Sequence, residues 1–418
     1  MRRLSIYGGK PLRGEVRIQG AKNAALPILA ATLLTDETCE IRNCPDLTDI
    51  HGTMEILESL GARVSYDGRT ATVCAAGADG TVIAEELMCR MRSSVIFLGS
   101  MLSRNGKARI SYPGGCALGA RPIDLHLDSM RRLGVEFYEE EGCICGERKA
   151  WKPQTVTLMF PSVGATENLL LLCAVSQGET LIVNPAREPE IVDLQNFLNC
   201  MGADIRGAGS DTIRIRGVSR LHGCSYTVIP DRIVAATYAC AVTACGGDVL
   251  LHRAEPMHLC MFLTTLKEMG AQIDSSDQQI RVRMHQRPMA VRVVKTLPYP
   301  GFPTDIQPLL MAALLRSVGT TVFTETIFEN RFKHVGEFLR MGAEIRVENM
   351  NAVVRGVPEL HGAKVEASDL RGGAALAIAG LSARGRTSIG GLCYMERGYE
   401  NLETHLRSLG ADAEITED

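Results

Sequence analysis

The 418-residue chain lacks the features that mark several classes of protein. No stretch approaches 18 uninterrupted apolar residues, so we expect no membrane span. The first ten residues, MRRLSIYGGK, contain two arginines but no apolar run after them, and we expect no signal peptide. Positive charge is not in excess, since 45 Lys and Arg stand against 48 Asp and Glu. That balance argues against a nucleic-acid partner, although it leaves room for a local basic pocket.

Motifs for metals and nucleotide cofactors are also missing. The 14 cysteines include no pair of C-x-x-C motifs, and the nine histidines form no H-E-x-x-H motif. Neither a G-x-x-x-x-G-K-[ST] loop nor a convincing dinucleotide fingerprint occurs. We therefore predict no structural or catalytic zinc site. Many cysteines in a long chain without a signal peptide indicate a reducing cytosol rather than disulfides.

What the sequence does contain is a sixfold repeat. The tripeptide [Leu/Met]-Gly-[Ala/Val] recurs with its glycines at 61, 134, 202, 270, 342 and 410. A helical pattern precedes each glycine and a strand pattern follows it, and glycine suits the left-handed position that ends a helix. Each repeat also has an earlier, almost entirely apolar helix, which is typical of a helix buried on all sides. These helices are predicted at 24–34, 94–102, 168–175, 233–242, 306–315 and 374–381.

One repeat thus reads as strand, buried helix, strand, outer helix and hairpin, which predicts an α/β protein. Six repeats in a chain of this length suggest two domains of three repeats each. The segment before the fourth buried helix, RLHGCSYTVIPDRI, parallels the segment before the first, so the boundary falls near residue 230. The pattern leaves open which domain the N-terminal strands join.

Charged or small polar residues stand before all six buried helices. They are Lys22-Asn23, Arg92-Ser93, Gly164-Ala165-Thr166, Asp231-Arg232, Thr304-Asp305 and Arg371-Gly372. Taken singly, Asn23, Ser93, Thr166 and Asp305 are explained as helix caps. The recurrence of cations beside these positions instead favours a multiply anionic ligand, because helix N-termini also attract anions. Arginines before the outer helices, including Arg121, Arg331 and Arg397, fit the same ligand or are solvated ion pairs.

Cys116 is the one cysteine whose surroundings suggest chemistry. It lies in the glycine-rich stretch YPGGCALGARP, five residues before Arg121. A nearby cation favours the thiolate, and a loop of this kind can close over a site. Cys173, Cys240 and Cys260 lie in apolar or strand patterns and are interpreted as inert core residues. A cysteine in a loop is commonly no more than that, so the pattern alone does not decide its role.

Several motifs resemble those of the UDP-N-acetylglucosamine enolpyruvyltransferase family. They are GAKNAALP at 20–27, MRSS at 91–94, PGGCALGARPIDLH at 113–126, SVGATEN at 162–168, AREPEIVD at 186–193, FPTD at 302–305, ENRF at 329–332, DLR at 369–371 and RGYE at 397–400. The resemblance runs in order from about residue 4 to 415. It implies two inside-out α/β barrel domains, each of three repeated β-α-β-α-β-β units with buried helices. The implied domains are 22–229, which carries the cysteine loop, and 1–21 plus 230–418, with the active site in the cleft between them.

The resemblance also implies a reaction. The 3′-hydroxyl of UDP-N-acetylglucosamine adds to phosphoenolpyruvate, and phosphate leaves, which commits the sugar to peptidoglycan and cell-wall synthesis. Cys116 corresponds to the general acid, to the site of a covalent pyruvate adduct and to the fosfomycin target, and Asp305 corresponds to the base. Lys22 and Arg397 complete the implied catalytic set.

The remaining implied roles are in binding. Residues that match the phosphoenolpyruvate site are Lys22, Asn23, Arg121, Arg371 and Arg397. Those that match the sugar-nucleotide site are Asn23, Arg92, Arg121, Pro122, Ile123, Asp124, Leu125, Ser162, Val163, Gly164, Thr304, Asp305 and Ile327. No cofactor, metal or nucleic acid is implied, and the expected location is the bacterial cytoplasm.

Two other functions stay open. The shikimate-pathway enolpyruvyltransferase shares the implied architecture, but the cysteine loop and FPTD match the sugar-nucleotide enzyme. A regulatory paralogue that binds sugar nucleotide without turnover is the alternative from another class. The presence of Lys22, Cys116, Asp305 and Arg397 argues against it.

Overall fold

The structure is a computed structural model that describes residues 2–112 and 123–417. Its α-helices in these ranges are α1 Lys22–Ala31, α2 Thr48–Ser59, α3 Glu85–Arg90, α4 Phe97–Asn105, α5 Asp124–Arg132, α6 Val163–Cys173, α7 Pro189–Cys200, α8 Arg232–Cys245, α9 Cys260–Glu268, α10 Gln307–Leu314, α11 Val335–Arg340, α12 Leu370–Ser382, α13 Leu392–Met395 and α14 Leu402–Ser408. Short 3-10 helices span Thr32–Leu34, Arg92–Ile96 and Pro256–Leu259.

The strands of the described residues alternate with these helices. They are β1 Arg2–Tyr7, β2 Leu12–Arg17, β3 Thr38–Arg42, β4 Arg63–Tyr66, β5 Ala71–Cys74, β6 Val82–Ile83, β7 Lys107–Ser111, β8 Val135–Glu140, β9 Cys143–Arg148, β10 Thr155–Thr157, β11 Gly178–Val183, β12 Asp204–Arg206, β13 Thr212–Gly217, β14 Ser225–Thr227, β15 Gly247–His252, β16 Gln272–Ser276, β17 Gln279–Met284, β18 Val293–Lys295, β19 Thr320–Thr324, β20 Glu344–Glu348, β21 Asn351–Arg355, β22 Lys364–Glu366, β23 Arg386–Gly390 and β24 Asp412–Glu417.

The strands form four-stranded sheets built on one plan. In the sheet of order β10-β11-β13-β12, the first two strands run parallel and the hairpin β12–β13 adds the antiparallel strands. The sheet β18-β19-β21-β20 repeats this arrangement. A buried helix connects the two parallel strands, and an outer helix precedes the hairpin, in the order that the repeat predicts. The α/β fold class is confirmed.

Three sheets recruit strands from distant parts of the chain. Strand β2 pairs in parallel with β15, and β14 pairs in parallel with β3. Strand β1 lies between β23 and β24 and is antiparallel to both, so it supplies the second hairpin strand of the sixth repeat. The sequence pattern could not assign these partners, because neighbouring repeats offer equivalent sheet edges.

The described residues divide into two compact units. The first unit contains residues 2–19 and 230–417, and the second contains 20–112 and 123–229. In the first unit, helices α8, α10 and α12 pack against one another. In the second, α4 packs closely on α6, and a Cβ at Gly99 would lie 2.5 Å from the backbone oxygen of Asn168. Only glycine permits this approach, and the Asn168 side chain accepts the Gly99 N–H at 2.6 Å.

The starts of the buried helices differ from the predicted caps. Helix α1 has Ala21 at its N-cap, α6 has Ser162 and α10 has Ile306, and Ser93 lies inside a 3-10 helix. The capping roles predicted for Asn23, Ser93, Thr166 and Asp305 are therefore wrong. Thr166 instead bridges the backbone within the second unit, and Asp305 forms ion pairs with arginines. Side-chain caps are provided by Ser162, Asp231 and Asp369.

Candidate active site

In the first unit, the Asp305 carboxylate lies between two buried arginines. Arg331 Nη2 donates to Asp305 Oδ1 at 3.0 Å, and Arg371 Nε donates to Oδ2 at 3.2 Å. The two arginine side chains are 1% and 3% exposed, whereas the Asp305 side chain is 30% exposed. The carboxylate is thus fixed on its inner side and remains accessible from outside, as a proton acceptor for a bound substrate must be.

Helix α12 positions Arg371 from its first turn. Asp369 caps the helix and accepts the backbone N–H groups of Arg371 at 3.0 Å and Gly372 at 2.9 Å. The Arg371 guanidinium lies over the Tyr399 ring and donates to its hydroxyl at 3.3 Å. Although burial disfavours the charged form, Tyr399 and the Asp305 carboxylate raise the pKa of Arg371. Arg371 is therefore a permanent buried cation.

A buried glutamate holds two further predicted binding residues. Glu325, 1% exposed, accepts the hydroxyl of Thr304 at 3.0 Å and the backbone N–H of Ile327 at 2.8 Å. Arg331 also holds Thr304 in place, because its Nη2 donates to the Thr304 carbonyl at 2.9 Å. The structure thus brings Thr304, Asp305 and Ile327 together in one hydrogen-bonded network.

Arg397 belongs to the turn between α13 and α14. It is half-buried, and Gly398 and Tyr399 follow it directly. The carbonyl of Gly398 accepts a hydrogen bond from Gln19 Nε2 at 3.3 Å, which links the turn to the segment after β2. Tyr399 is 4% exposed and contacts Arg371, so Arg397 lies two residues from a partner of Arg371.

In the second unit, Lys22 is the first residue of α1 and is paired with an aspartate that the sequence interpretation did not include. Lys22 Nζ lies 3.0 Å from Asp49 Oδ2, and the two side chains are 10% and 5% exposed. Asn23 follows within the helix and is half-buried. Because Ala21 offers no side-chain cap, the N-terminal turn of α1 presents backbone N–H groups beside a lysine.

His126 connects the other predicted sugar-nucleotide residues of this unit. Its Nδ1 lies 2.9 Å from Asn168 Nδ2, and a Cβ at Gly164 would come within 2.8 Å of its ring. Burial, with a contribution from the charge of Arg92, lowers the pKa of His126 to about 4. The ring is therefore neutral at pH 7 and accepts the amide proton. His126 lies in the first turn of α5 and contacts Gly164 in the first turn of α6.

The remaining predicted residues of the second unit flank this histidine. Ile123 is buried, Asp124 is exposed and Leu125 is half-buried at the start of α5. Ser162, Val163 and Gly164 are half-buried at the start of α6, where the Ser162 hydroxyl accepts the Ala165 N–H. Cys116, Arg121 and Pro122 lie outside the described residues.

Several residues of these networks have no role in the sequence interpretation. Asp49, Glu325, Arg331, Asp369 and Tyr399 make the contacts described above. Arg331 carried a signal, because it stands in ENRF and is one of the arginines before an outer helix. Asp369 and Tyr399 likewise stand in the motifs DLR and RGYE, whereas Asp49 and Glu325 could not be found by residue type, since a buried carboxylate gains a role only through its partner.

Within residues 2–112 and 123–417, the structure has no helix of the length and apolarity that crossing a bilayer requires. In the same residues, no three His, Cys, Asp or Glu side chains are grouped in a way that could hold a metal ion.

Comparisons with a family model and with solved structures identify the class of protein. Residues 6–406 match the family model described as EPSP synthase (3-phosphoshikimate 1-carboxyvinyltransferase). The solved enolpyruvyl transferase NikO from Streptomyces tendae superposes with a TM-score of 0.90 at 29% identity, covering 99% of both chains. EPSP synthase from Acinetobacter baumannii superposes with a TM-score of 0.78 at 19% identity over all of both chains, and at that identity it shows the fold alone. The fold is thus that of an enolpyruvyl transferase.

The curated relatives narrow the class. UDP-N-acetylglucosamine 1-carboxyvinyltransferase 2 of Caldanaerobacter subterraneus is 50% identical over 99% of both chains. The corresponding protein of Geobacter metallireducens is 45% identical over 99% of both chains. The chain belongs to the UDP-N-acetylglucosamine 1-carboxyvinyltransferase family, as the sequence motifs predicted.

Proposed function

We propose that this protein transfers the enolpyruvyl group of phosphoenolpyruvate to the 3′-hydroxyl of UDP-N-acetylglucosamine and releases phosphate. The observation that carries the proposal is the half-exposed Asp305 carboxylate held between Arg331 and Arg371, in a chain of this family. This is the first committed step of peptidoglycan precursor synthesis. The relatives are bacterial, and we place the reaction in the bacterial cytoplasm.

Asp305 is proposed as the base. As the sugar hydroxyl bonds to C2 of phosphoenolpyruvate, its proton passes to the carboxylate, while C3 gains a proton from an acid. The two arginines hold the carboxylate in place, so little reorganisation is needed when the proton moves. In the second step, the C2–O bond to phosphate breaks and C3 loses a proton, which leaves the enolpyruvyl ether.

Cys116 is proposed as the acid for C3 and as the residue that forms a covalent adduct with phosphoenolpyruvate. This assignment rests on the motif PGGCALGARP, since the residue lies outside the described part of the chain. Arg121 follows Cys116 by five residues in the sequence, and a cation near a thiol would suit both roles, because it makes the proton easier to donate and the thiolate more available.

Cationic residues are proposed as the anion clamps. Lys22, Arg121 and Arg397 hold the phosphate of phosphoenolpyruvate, and Arg371 and Arg397 lie toward its carboxylate. Burial supports this role for Lys22 and Arg371, because a desolvated cation binds an anion more strongly than a solvated one. Asn23 completes this set.

The sugar nucleotide is proposed to bind residues from both units, and the active site is proposed to form between domains 22–229 and 1–21 plus 230–418. The sugar-nucleotide residues of the second unit are Asn23, Arg92, Arg121–Leu125 and Ser162–Gly164. Those of the first unit are Thr304, Asp305 and Ile327. Support comes from the contact of Gly164 with His126 in one unit and from the hydrogen bonds of Thr304 and Ile327 to Glu325 in the other.

Phosphate release tests the proposal. With phosphoenolpyruvate present, the purified protein should release phosphate when UDP-N-acetylglucosamine is added and not when shikimate 3-phosphate is added. Release with shikimate 3-phosphate alone would favour the shikimate-pathway activity. Binding of the sugar nucleotide without any release would instead indicate a regulatory protein.

A further inference from the structure

Three cysteines that the proposed reaction does not use come together in the second unit. Cys39 lies in β3, Cys200 ends α7, and Cys224 directly precedes β14. The Cys39 side chain, burial and the Cys200 side chain all raise the pKa of the Cys224 thiol. Cys39 is fully buried, Cys224 is half-buried and Cys200 is exposed, so the cluster leads from the core to the surface. We call these three residues the thiol cluster.

The sheet ladder explains why Cys39 and Cys224 are neighbours. Strands β3 and β14 are parallel with Glu40 opposite Ser225, so the residues one position earlier, Cys39 and Cys224, adjoin on one face. The Glu40 N–H donates to the Cys224 carbonyl at 2.8 Å. At Gly223 a Cβ would lie 2.2 Å from the carbonyl oxygen of Thr38, so only glycine allows the two segments this approach.

The third thiol, Cys200, lies at the end of α7. The backbone N–H of His222 donates to the Met201 carbonyl at 2.9 Å, and the His222 ring lies against Gly202. This contact anchors the segment before β14 beside the last turn of α7, where Cys200 is exposed. Cys200 is therefore accessible to small oxidants, whereas Cys224 is half-buried.

The three thiols are not equivalent. The hydrogen bond from Cys224, despite the opposing effect of burial, lowers the pKa of Cys39. The contacts with Cys39, together with burial, raise the pKa of Cys224. Cys39 is therefore the thiol of this pair that ionises first, and Cys224 becomes a nucleophile only when its own proton is released to solvent.

We propose that the thiol cluster is a redox-active site in which Cys200 and Cys224 form a reversible disulfide when a small-molecule disulfide oxidises them. The Cys200 thiolate attacks one sulfur of the oxidant, which gives a mixed disulfide and releases one small thiol. Cys224 releases its proton to solvent and attacks the Cys200 sulfur, which forms the protein disulfide and releases the second small thiol. Two protein thiols are oxidised and one oxidant disulfide is reduced.

Peptide mapping tests this proposal on the full chain. The native protein is incubated with oxidised glutathione, quenched with an alkylating agent and digested with trypsin, which leaves Cys39, Cys200 and Cys224 in separate peptides. We expect a linked pair of peptides containing Cys200 and Cys224, which dithiothreitol separates. The link should be lost in Cys200→Ser and in Cys224→Ser. In Cys39→Ser it should form faster, because the neighbour that raises the pKa of Cys224 is gone.

The matched control is Cys89→Ser, which removes another exposed thiol of the same unit and should leave the link and its rate unchanged. Because Cys200 is exposed, Cys200→Ser should fold normally, which its melting curve in reducing buffer checks. A stable glutathione adduct on Cys200 without a protein disulfide would overturn the proposal. So would a link between Cys224 and Cys39, or a link that survives Cys200→Ser.

Discussion

At the scale of single residues, the sharpest feature is the difference in exposure across the Asp305 ion pairs. The carboxylate is 30% exposed, but Arg331 and Arg371 are almost completely buried. Burying two guanidinium groups beside one aspartate lowers the stability of the fold, because each cation has been removed from water. An ion pair at the surface would not carry this cost. The arrangement therefore indicates that the position of the Asp305 carboxylate is important for function.

Asp305→Asn should reduce kcat by about 10²–10⁴-fold, because the amide keeps the shape of the side chain but cannot accept a proton. Steady-state phosphate release measures the loss, and the KM for UDP-N-acetylglucosamine should change much less. Asp277→Asn, at an exposed aspartate of the same unit, serves as the control and should be unaffected. A loss seen mainly in KM would make Asp305 a binding group.

Cys116 should be the thiol that fosfomycin modifies, because the phosphonate is drawn to the cationic residues and the thiolate opens the epoxide. Mass spectrometry of the protein treated in the presence of sugar nucleotide should find one adduct, on the peptide that contains Cys116. Cys116→Asp should retain transferase activity and resist inactivation, since a carboxyl can donate a proton but is a poor nucleophile toward an epoxide. Cys116→Ser should lose most of its activity, because a hydroxyl is a poor acid. Inactivation of Cys116→Asp at the wild-type rate, or an adduct on another cysteine, would contradict the assignment.

Sequence reasoning at this scale identified the residues whose types carry chemistry and missed their anchors. Asp305 and Arg371 stand in motifs that the family resemblance covers. Asp49 and Glu325 do not, and nothing in their local sequence shows that one meets Lys22 and the other meets Thr304. Such pairings depend on tertiary contacts between segments that are 21 or more residues apart.

At the scale of elements, the start of α12 links helix stability to the placement of Arg371, which we propose binds substrate. The cap and the arginine are only two residues apart, and the cap hydrogen bond from the Arg371 N–H fixes the backbone from which the guanidinium extends. Any change that loosens the first turn should therefore affect both stability and substrate affinity.

Asp369→Ala should lower the free energy of unfolding by about 1 kcal/mol, the usual effect of losing a side-chain cap. It should also raise the KM for phosphoenolpyruvate, because Arg371 loses its fixed position. Asp369→Ser, which keeps a capping oxygen, should recover most of the stability. Thermal unfolding and steady-state kinetics measure the two effects. If Asp369→Ala changed neither, the cap would have no part in positioning Arg371.

The elements themselves were largely predictable, and their boundaries were less so. The apolar pattern 168–175 located a buried helix that in fact begins at Val163, because Ser162 caps a first turn containing glycine and polar residues. The pattern 94–102 became a 3-10 helix followed by α4. Periodicity detects the buried face of a helix, whereas its ends depend on hydrogen bonds that periodicity does not record.

At the scale of the whole molecule, the strands that pair across long distances in the chain were beyond the sequence pattern. Strand β1 completes the sheet of the sixth repeat, and β2 and β14 join the sheets of the fourth and first repeats. All three are short, and their apolar pattern fits any of several equivalent edges. The repeat therefore predicted the order of helices and strands in each unit but not which segments complete the sheets.

Protonation of His126 should destabilise the whole fold in acid. Burial lowers its pKa in the folded protein to about 4, below the ordinary value near 6.5, so the unfolded chain takes up the proton first. Stability is therefore lost as the pH falls from about 6.5 to 4, by up to about 3 kcal/mol from this residue.

His126→Asn keeps an acceptor for Asn168 and does not titrate, so its unfolding free energy should fall less over this pH range. Chemical denaturation at pH 7, 5.5 and 4 measures the difference between the two proteins. Parallel losses in the wild type and in His126→Asn would show that His126 does not titrate with the fold.

The most direct test of the proposed function is identification of the product. The protein is incubated with phosphoenolpyruvate and equal amounts of UDP-N-acetylglucosamine and shikimate 3-phosphate, and the mixture is analysed by mass spectrometry and by NMR of the sugar ring. We predict that UDP-N-acetylglucosamine alone gains one enolpyruvyl group, through an ether at the 3′-oxygen, with one phosphate released for each product formed. An enolpyruvyl group on shikimate 3-phosphate, or an unmodified sugar nucleotide bound to active-site residues, would contradict the account.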